Sequence, residues 1–218
     1  PIGLSFKIQY GESFVPVKID GSLGKSQAYA AAAGASTGLI FGMNLIQISD
    51  ALSEYKGPNG RLKIIQGIKN SVIIDDTYNA SPASTHLAIE TVAGLSGPRK
   101  IAVLGDMLEL GRHTIEAHKN IGKLAKEVVD ILMVVGPRAI DIKEGALEAG
   151  LKHKNTFEFK DSYEAGNFLK TFIEKGDTIL IKGSQGMRME RVVEEILLDQ
   201  ENKSKLLVRQ DTEWKNKK

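Results

Sequence analysis

The sequence contains no cysteine, few aromatic residues and no long apolar stretch. The absence of cysteine excludes disulfide bonds, thiolate metal ligands and cysteine nucleophiles, and it is compatible with the reducing conditions of the cytoplasm. Aromatic residues make up 6% of the chain, which argues against a surface that stacks the bases of single-stranded nucleic acid. No stretch reaches the roughly 18 apolar residues that cross a bilayer. We therefore expect neither nucleic acid nor membrane insertion.

Length and composition indicate a folded protein with one large domain, or one domain and part of a second. The chain has 218 residues, of which 42% are hydrophobic and 26% are charged. It begins Pro1-Ile2-Gly3, without an initiator methionine or a signal pattern, so we expect a segment of a longer chain. The net charge is +2, and residues 200–218 hold six Lys or Arg and three Asp or Glu. This basic tail is expected to be solvated and partly disordered.

Two patterns of hydrophobicity divide the chain near residue 57. Residues 5–19 alternate loosely between apolar and polar side chains, which predicts a β-hairpin. An alanine-rich stretch and the segment 46–55 then predict two helices. The Gly-Pro-Asn-Gly break at 57–60 marks a domain boundary. We expect residues 1–57 to form a small α+β part and residues 58–218 to form the main domain.

Short apolar runs alternate with helical patterns after residue 60. Six runs predict strands, at 62–65, 72–74, 101–104, 131–135, 157–159 and 178–181. Between and after them, five stretches predict helices, near 82–95, 114–129, 138–149, 162–174 and 187–198. Continuous apolar strands separated by helices predict an α/β fold, a mostly parallel sheet with helices on both faces.

Polar side chains follow several of these strands, at the edge where an open parallel sheet binds its ligands. Asp75 and Asp76 follow the second strand, and two roles are open for them. They can cap the next helix, although Ser81 before a proline is the better candidate, or they can accept the hydroxyl groups of a ribose. Asp106 and Glu109 follow the third strand, where solvated loop acids are as plausible as functional ones.

Three other patterns bear on the chemistry of the chain. Lys182-Gly183-Ser184 follows the last strand and precedes a helix, a pattern able to hold an anion. The segment 21–26 partly matches the motif of a phosphate-binding loop. Only two residues separate its glycines, however, whereas that motif needs four. The four histidines show no spacing typical of zinc ligands, so we expect no structural zinc.

Three long motifs occur together in the order typical of one family. They are Asp-Asp-Thr-Tyr-Asn-Ala-Ser-Pro at 75–82, Gly-Asp-Met-Leu-Glu-Leu-Gly at 105–111 with His118 downstream, and Lys-Gly-Ser-Gln-Gly-Met-Arg-Met-Glu at 182–190. Together they resemble the Mur ligases, and among them the members that add D-alanyl-D-alanine. The resemblance extends over the chain to about residue 198.

The resemblance implies a fold, a reaction and cofactors. It implies that residues 1–57 end a central ATPase domain and that residues 58–218 form a Rossmann-like C-terminal domain. The implied enzyme is a cytoplasmic monomer that uses ATP and Mg2+ to join D-alanyl-D-alanine to a UDP-muramoyl tripeptide through an acyl phosphate. The phosphate-binding loop, the carbamylated lysine and the main magnesium ligands of the family would lie upstream, so the chain alone is expected to be inactive. The alternatives are another member of the superfamily, such as a folylpolyglutamate synthase, and a non-enzymatic binding domain.

The resemblance also assigns site residues. Arg61, Asp76 and Asn79 match positions that contact or approach the nucleotide. The positions expected on the side of the dipeptide are Asp106, Lys182, Ser184 and Arg188.

Two residues depart from the family pattern. Ala30 stands where an asparagine helps to hold adenine, which removes a hydrogen-bonding side chain. Gln185 stands where arginine is usual, which removes a charge and a forked donor. We expect Arg188 or Lys182 to supply the missing charge.

Overall fold

The computed structural model describes residues 3–216. The strands are β1 Gly3–Tyr10, β2 Ser13–Asp20, β3 Lys63–Gln66, β4 Val72–Asp76, β5 Lys100–Gly105, β6 Ile131–Val135, β7 Thr156–Phe159 and β8 Thr178–Lys182. The helices are α1 Lys25–Ile40, α2 Leu45–Ser53, α3 Pro82–Ala93, α4 Thr114–Val128, α5 Ile140–Glu148, α6 Ser162–Phe172, α7 Glu190–Ile196, α8 Lys203–Leu206 and α9 Thr212–Asn216.

The first part of the chain has its own small sheet and core. Strands β1 and β2 form the predicted antiparallel hairpin. Val17, Ile19 and Ala31 form a small buried cluster between the hairpin and α1. Helix α1 is the longest helix described, with 16 residues. Among residues 3–216, no helix combines the length and the apolar character needed to cross a membrane.

The second part of the chain forms a six-stranded sheet in the order β3-β4-β8-β5-β6-β7. The last five strands of this order are parallel, which confirms the predicted mostly parallel α/β sheet. Strand β3 is antiparallel to β4. The reason is the short connection at 67–71, because a parallel crossover needs about a dozen residues or more.

The sheet separates two hydrophobic cores. Alternate residues of its strands point to opposite faces, so each of the two faces carries a full set of Ile, Leu and Val side chains. Helices α3, α4 and α5 cover one face. Helices α6 and α7 cover the other. Because both faces are covered, the edge at the carboxyl ends of the strands is left to bind ligands.

Helices α4 and α5 pack unusually close together through two glycines. A Cβ atom added to Gly122 would lie 1.9 Å from the carbonyl oxygen of Ile142. A Cβ atom added to Gly145 would lie 2.1 Å from the carbonyl oxygen of Lys119. Any side chain at either position would therefore push the two helices apart.

Two segments differ from the sequence expectation. The last long helix begins at Glu190 rather than near 187, because Arg188 has a left-handed backbone with φ 53°. The basic tail is ordered over most of its length: it forms α8 and α9, and both Leu207 and Arg209 are buried. Its charge did not reveal this, because Leu207 joins the core and a buried carboxylate neutralises Arg209. Residues 217–218 of the tail lie outside the described residues.

Candidate functional site

The loops that leave β4, β5, β6 and β8 are hydrogen-bonded to one another at one edge of the sheet. The amide of Gln185 donates to Asn79 Oδ1 over 3.4 Å, which joins the loops after β8 and β4. The amide of Leu108 donates to Ser184 Oγ over 2.8 Å, which joins the loops after β5 and β8. Asp106 joins the loops after β5 and β6. The predicted convergence of the strand ends is therefore present.

A first cavity lies where β4 and β8 end. It has a volume of about 210 Å3, and its walls include Ser26, Arg61, Asp76, Asn79, Ser81 and Lys182. All three residues expected at the nucleotide line this cavity. Lys182, which was expected on the dipeptide side, lies here with them.

Asp76 and Lys182 form a buried ion pair at the bottom of the first cavity. Their Oδ2 and Nζ atoms are 2.6 Å apart, and the side chains are 10% and 2% exposed. Lys182 also donates to the carbonyl oxygen of Asn79 over 2.9 Å, and the amide of Leu62 donates to Asp76 Oδ1 over 3.2 Å. The pair follows from the sheet register, since Asp76 and Lys182 stand side by side on β4 and β8.

Arg61 lies at the mouth of the first cavity. Its guanidinium group is stacked over the ring of Tyr78, 4.1 Å from the ring centroid. Tyr78 is 42% exposed, and its backbone amide donates to the carbonyl oxygen of Gly60 over 3.0 Å. Sequence reasoning did not single out Tyr78, although an aromatic residue in a strand-exit loop is a signal for it.

A second cavity lies beside the first, where β5 and β8 end. It has a volume of about 350 Å3, and its walls include Asn79, Leu108, Glu109, Ser184, Gln185 and Gly186. Ser184 is buried, and its hydroxyl group accepts from the Leu108 amide and donates to the carbonyl oxygen of Ala80. Asn79 and Ser81 line both cavities, so ligands of the two would meet at this loop.

Asp106 and Arg188 are placed differently from the expectation. The carboxylate of Asp106 is buried and accepts from the amides of Arg138 (2.9 Å) and Ala139 (2.7 Å) ahead of α5. Arg188 has a left-handed backbone, and its side chain is buried beside Glu190, with 2.6 Å between Nε and Oε1. Neither residue is found among the walls of the second cavity, and their contact with a dipeptide stays a prediction.

Two buried groups support the loops of the site. His118 accepts from the amide of Met107 (3.0 Å), and its other ring nitrogen lies 2.7 Å from the carbonyl oxygen of Thr114, which fixes the loop after β5. Asp75 is fully buried, and its Oδ1 accepts from the amide and hydroxyl of Thr77. Its Oδ2 has no hydrogen-bond partner among residues 3–216, and burial raises the pKa of Asp75 to about 6. Ser81 caps α3 as predicted.

The described residues hold a nucleotide-type set of charges but no metal cluster. Within residues 3–216, no group of three or more His, Asp or Glu side chains is arranged to hold a metal ion. The first cavity instead offers two cations, Arg61 and Lys182, beside one carboxylate, Asp76. Such a set can bind a ligand that carries both negative charge and hydroxyl groups.

Comparison with known proteins identifies the family. The family model described as "Mur ligase, glutamate ligase domain" matches residues 60–185, which include every strand of the large sheet and most of the residues that line the two cavities. The chain belongs to the Mur ligase family. This Mur ligase chain is similar to two curated relatives, both named UDP-N-acetylmuramoyl-tripeptide–D-alanyl-D-alanine ligase. The relative from Bacillus subtilis is 35% identical over 188 residues, 84% of this chain and 39% of the relative. The relative from Escherichia coli is 33% identical over 175 residues, which cover 78% of this chain and 36% of the relative.

Solved Mur ligase structures share the fold of this chain. The MurF ligase from Thermotoga maritima in complex with ADP superposes with a TM-score of 0.75 at 28% identity, over 94% of this chain and 44% of that one. A MurF structure from Acinetobacter baumannii gives a TM-score of 0.76 at 29% identity, over 88% and 42%. A folylpolyglutamate synthase from Mycobacterium tuberculosis, at 19% identity, shares the fold alone.

The Mur ligase chain spans about two fifths of the length of these curated relatives.

Proposed function

We propose that this chain is part of an ATP-dependent ligase that joins D-alanyl-D-alanine to a UDP-N-acetylmuramoyl tripeptide in the synthesis of peptidoglycan precursors. The observation that carries the proposal is the pair of adjacent cavities that meet at Asn79, one with nucleotide-type charges and one beside it for a second substrate. The names of the relatives support the same reaction. A likeness of fold alone does not favour folate chemistry.

In this proposal the first cavity holds the ribose side of ATP. Each oxygen of a carboxylate has two lone pairs, and Asp76 uses one on each oxygen, for Leu62 and Lys182. It therefore keeps acceptor capacity for ribose hydroxyls. Arg61 at the mouth is suited to the phosphates. A volume of about 210 Å3 is too small for a whole nucleotide, so the adenine and the terminal phosphates would extend to other parts of the enzyme.

The second cavity is the proposed site of D-alanyl-D-alanine. The cations expected to replace the missing arginine at position 185 are both already paired, Arg188 with Glu190 and Lys182 with Asp76. We therefore assign the carboxylate of the dipeptide to the side-chain amide of Gln185 and to the loop 184–186. This loop lies close to Asn79, so the dipeptide would lie next to the nucleotide.

The chemistry of the proposed reaction is activation followed by acyl transfer. ATP, when bound, supplies the phosphoryl group that converts the tripeptide carboxylate into an acyl phosphate, and the amine of D-alanyl-D-alanine then displaces phosphate as the peptide bond forms. The residues of this chain bind and orient: Asp76 directs the ribose, Arg61 offsets phosphate charge, and Asn79 sets the distance between the two ligands. Positioning and charge neutralisation of this kind account for most of the catalysis of phosphoryl transfer.

The remaining parts of the assignment follow from the same proposal. Residues 1–57 are the end of the central domain, which has its own core, and residues 58–218 are the C-terminal domain. The ligands of Mg2+ and the phosphate-binding loop would come from other parts of the enzyme. We propose a cytoplasmic enzyme, because the substrates are a nucleotide-linked peptide and ATP, and we propose a monomer from the family resemblance alone.

The proposal is tested by Asp76→Asn in the intact ligase. Asparagine keeps one acceptor oxygen but loses the negative charge that interacts with the two ribose hydroxyls and with Lys182. We expect the KM for ATP to rise roughly tenfold or more, the effect of weakening a hydrogen bond to a charged group, while the KM for D-alanyl-D-alanine changes little. The exposed Asp50→Asn on α2 is the matched control. An unchanged KM for ATP would remove Asp76 from the nucleotide site, and a wild-type protein that does not ligate D-alanyl-D-alanine would contradict the function.

A further inference from the structure

The C-terminal segment, residues 205–214, contacts two stretches of chain next to the first cavity, the turn before Arg61 and the loop after β4. The side-chain amide of Asn59 donates to the carbonyl oxygens of Lys205 (2.9 Å) and Leu207 (3.3 Å). Leu207 is 2% exposed and belongs to the core on the α6–α7 face of the sheet. The segment is therefore attached to the turn that directly precedes Arg61.

Arg209 is the residue of this segment that reaches the site loop. It is 8% exposed and has a left-handed backbone with φ 57°. Its guanidinium group donates to the backbone carbonyl oxygens of Thr77 and Tyr78, the latter over 3.0 Å. Buried carbonyl groups require donors, and one planar guanidinium group supplies both here. A lysine cannot reproduce this geometry.

Glu190 holds Arg209 in this position. Its carboxylate is 1% exposed and lies between two guanidinium groups. Oε2 accepts from Arg209 Nε over 3.0 Å and from its terminal nitrogen over 2.6 Å, while Oε1 accepts from Arg188. A buried carboxylate with two such partners fixes the direction of both arginines.

The network continues to the mouth of the first cavity through Tyr78. Arg209 holds the backbone of Tyr78 on one side, and Tyr78 donates its amide proton to Gly60 on the other. The ring of Tyr78 then carries the guanidinium group of Arg61, 4.1 Å from the ring centroid. Arg209 is thus linked to Arg61 through Tyr78, although Arg209 is not among the walls of that cavity.

We propose that Arg209 is a positioning residue of the nucleotide site. From the C-terminal segment it fixes the backbone of Thr77 and Tyr78, and through the ring of Tyr78 it sets where Arg61 meets the nucleotide. The identity of the ligand rests on the proposed function. The contact itself rests only on the hydrogen bonds described.

The experiment uses the intact ligase with two substitutions at Arg209. Arg209→Met removes every donor, and Arg209→Lys keeps the charge for Glu190 but cannot serve both carbonyl groups. Lys205→Met is the matched control, because it removes one positive charge from an exposed side chain of the same segment. Two quantities are measured: the KM for ATP and for D-alanyl-D-alanine, and the hydrogen–deuterium exchange of the backbone at 77–79.

We expect hydrogen–deuterium exchange at 77–79 to be faster than in the wild type in both Arg209 variants. In Lys205→Met it should be the same as in the wild type. The KM for ATP should rise roughly three- to tenfold in Arg209→Lys, the net contribution of about one hydrogen bond, with the KM for the dipeptide nearly unchanged. Should Arg209→Met fail to fold, Arg209→Lys decides alone.

Three results would overturn the inference. Unchanged exchange in Arg209→Lys would mean that Arg209 does not hold the loop. Faster exchange with an unchanged KM for ATP, or equal rises in both KM values, would reduce Arg209 to a structural residue. If the wild type does not ligate at all, the proposed function fails and the nucleotide role fails with it, whereas the exchange data still decide whether Arg209 fixes the loop.

Discussion

Asp75 makes the stability of the fold depend on pH in an unusual direction. Its carboxyl group is completely buried, Thr77 is its hydrogen-bond partner, and its second oxygen has no partner in the part of the chain that the structure describes. Burial, and to a smaller extent the neighbouring Asp76, raise the pKa of Asp75 from 3.8 to about 6, although the hydrogen bonds of Thr77 and the charge of Arg209 act in the opposite direction. The folded protein therefore binds this proton more tightly than the unfolded chain does.

The size of the effect follows from the difference between the two pKa values. One pKa unit corresponds to about 1.4 kcal/mol, so the difference between 3.8 and about 6 amounts to roughly 3 kcal/mol. The stabilisation is fully present below the unfolded pKa and is lost as the pH rises through the folded pKa. About 2 kcal/mol of it should disappear between about pH 4.5 and about pH 7.5.

The perturbation that isolates this effect is Asp75→Asn. Asparagine has nearly the same shape and keeps an acceptor for Thr77, but it does not titrate. The free energy of unfolding is measured by urea denaturation at several pH values between about 4.5 and 7.5. Relative to the variant, the wild type should lose about 2 kcal/mol more across this range. Asp50→Asn, an exposed residue with the same change of charge, should follow the wild type.

Parallel pH profiles for the wild type and Asp75→Asn would refute the reasoning. They would mean that the carboxylate has found a partner for its second oxygen, or that the loop opens to water when it ionises. A wild type that gains stability relative to Asp75→Asn as the pH rises would also refute it, because a raised pKa gives a loss of stability with increasing pH.

Two further predictions concern helix packing and catalytic competence. Gly122→Ala should lower the free energy of unfolding by about 1–3 kcal/mol in chemical denaturation, since its Cβ atom would collide with the backbone of α5. Gly34→Ala on α1 has open space around the added atom and should raise the free energy of unfolding by roughly 0.5–1 kcal/mol. Equal effects of the two substitutions would contradict the close approach of α4 and α5. The 218-residue chain by itself should show no Mg2+-dependent ATP hydrolysis, because its sequence contains no phosphate-binding loop, and turnover that follows the protein through repurification would disprove this.

The sequence predicts the centre of the sheet and one side of the site well. Strands β5, β6 and β8 are continuous runs rich in Ile, Val and Leu because both faces of the sheet are covered, and such short runs between helices are typical of buried parallel strands. The position of Asp76 directly after a strand expected to be parallel and buried makes it a candidate for the site, whereas Asn79 is assigned through the resemblance to the Mur ligases.

The remainder depends on geometry that residue types do not encode. The ion pair of Asp76 with Lys182 comes from sheet register across 106 residues of sequence. Arg188 pairs with Glu190 from a left-handed backbone, a conformation that is uncommon for arginine and that its neighbours in the sequence do not predict. Arg209 binds backbone carbonyl groups 131 and 132 residues away, which have no side-chain signature, and its charged surroundings look like those of a solvated tail.

The place of β8 in the sheet has a consequence for how the chain acquires its structure during synthesis. Among the six strands of the large sheet, β8 comes last in the sequence, but it lies between β4 and β5 and pairs with both. Until residue 182 has left the ribosome, those two strands expose unpaired edges and the first cavity lacks its lysine. Until then the sheet of the nascent domain is incomplete, and its unpaired strand edges make it prone to aggregation. A chain that stops before residue 178 cannot complete the sheet. The sheet can therefore close only after β8, at residues 178–182, has emerged.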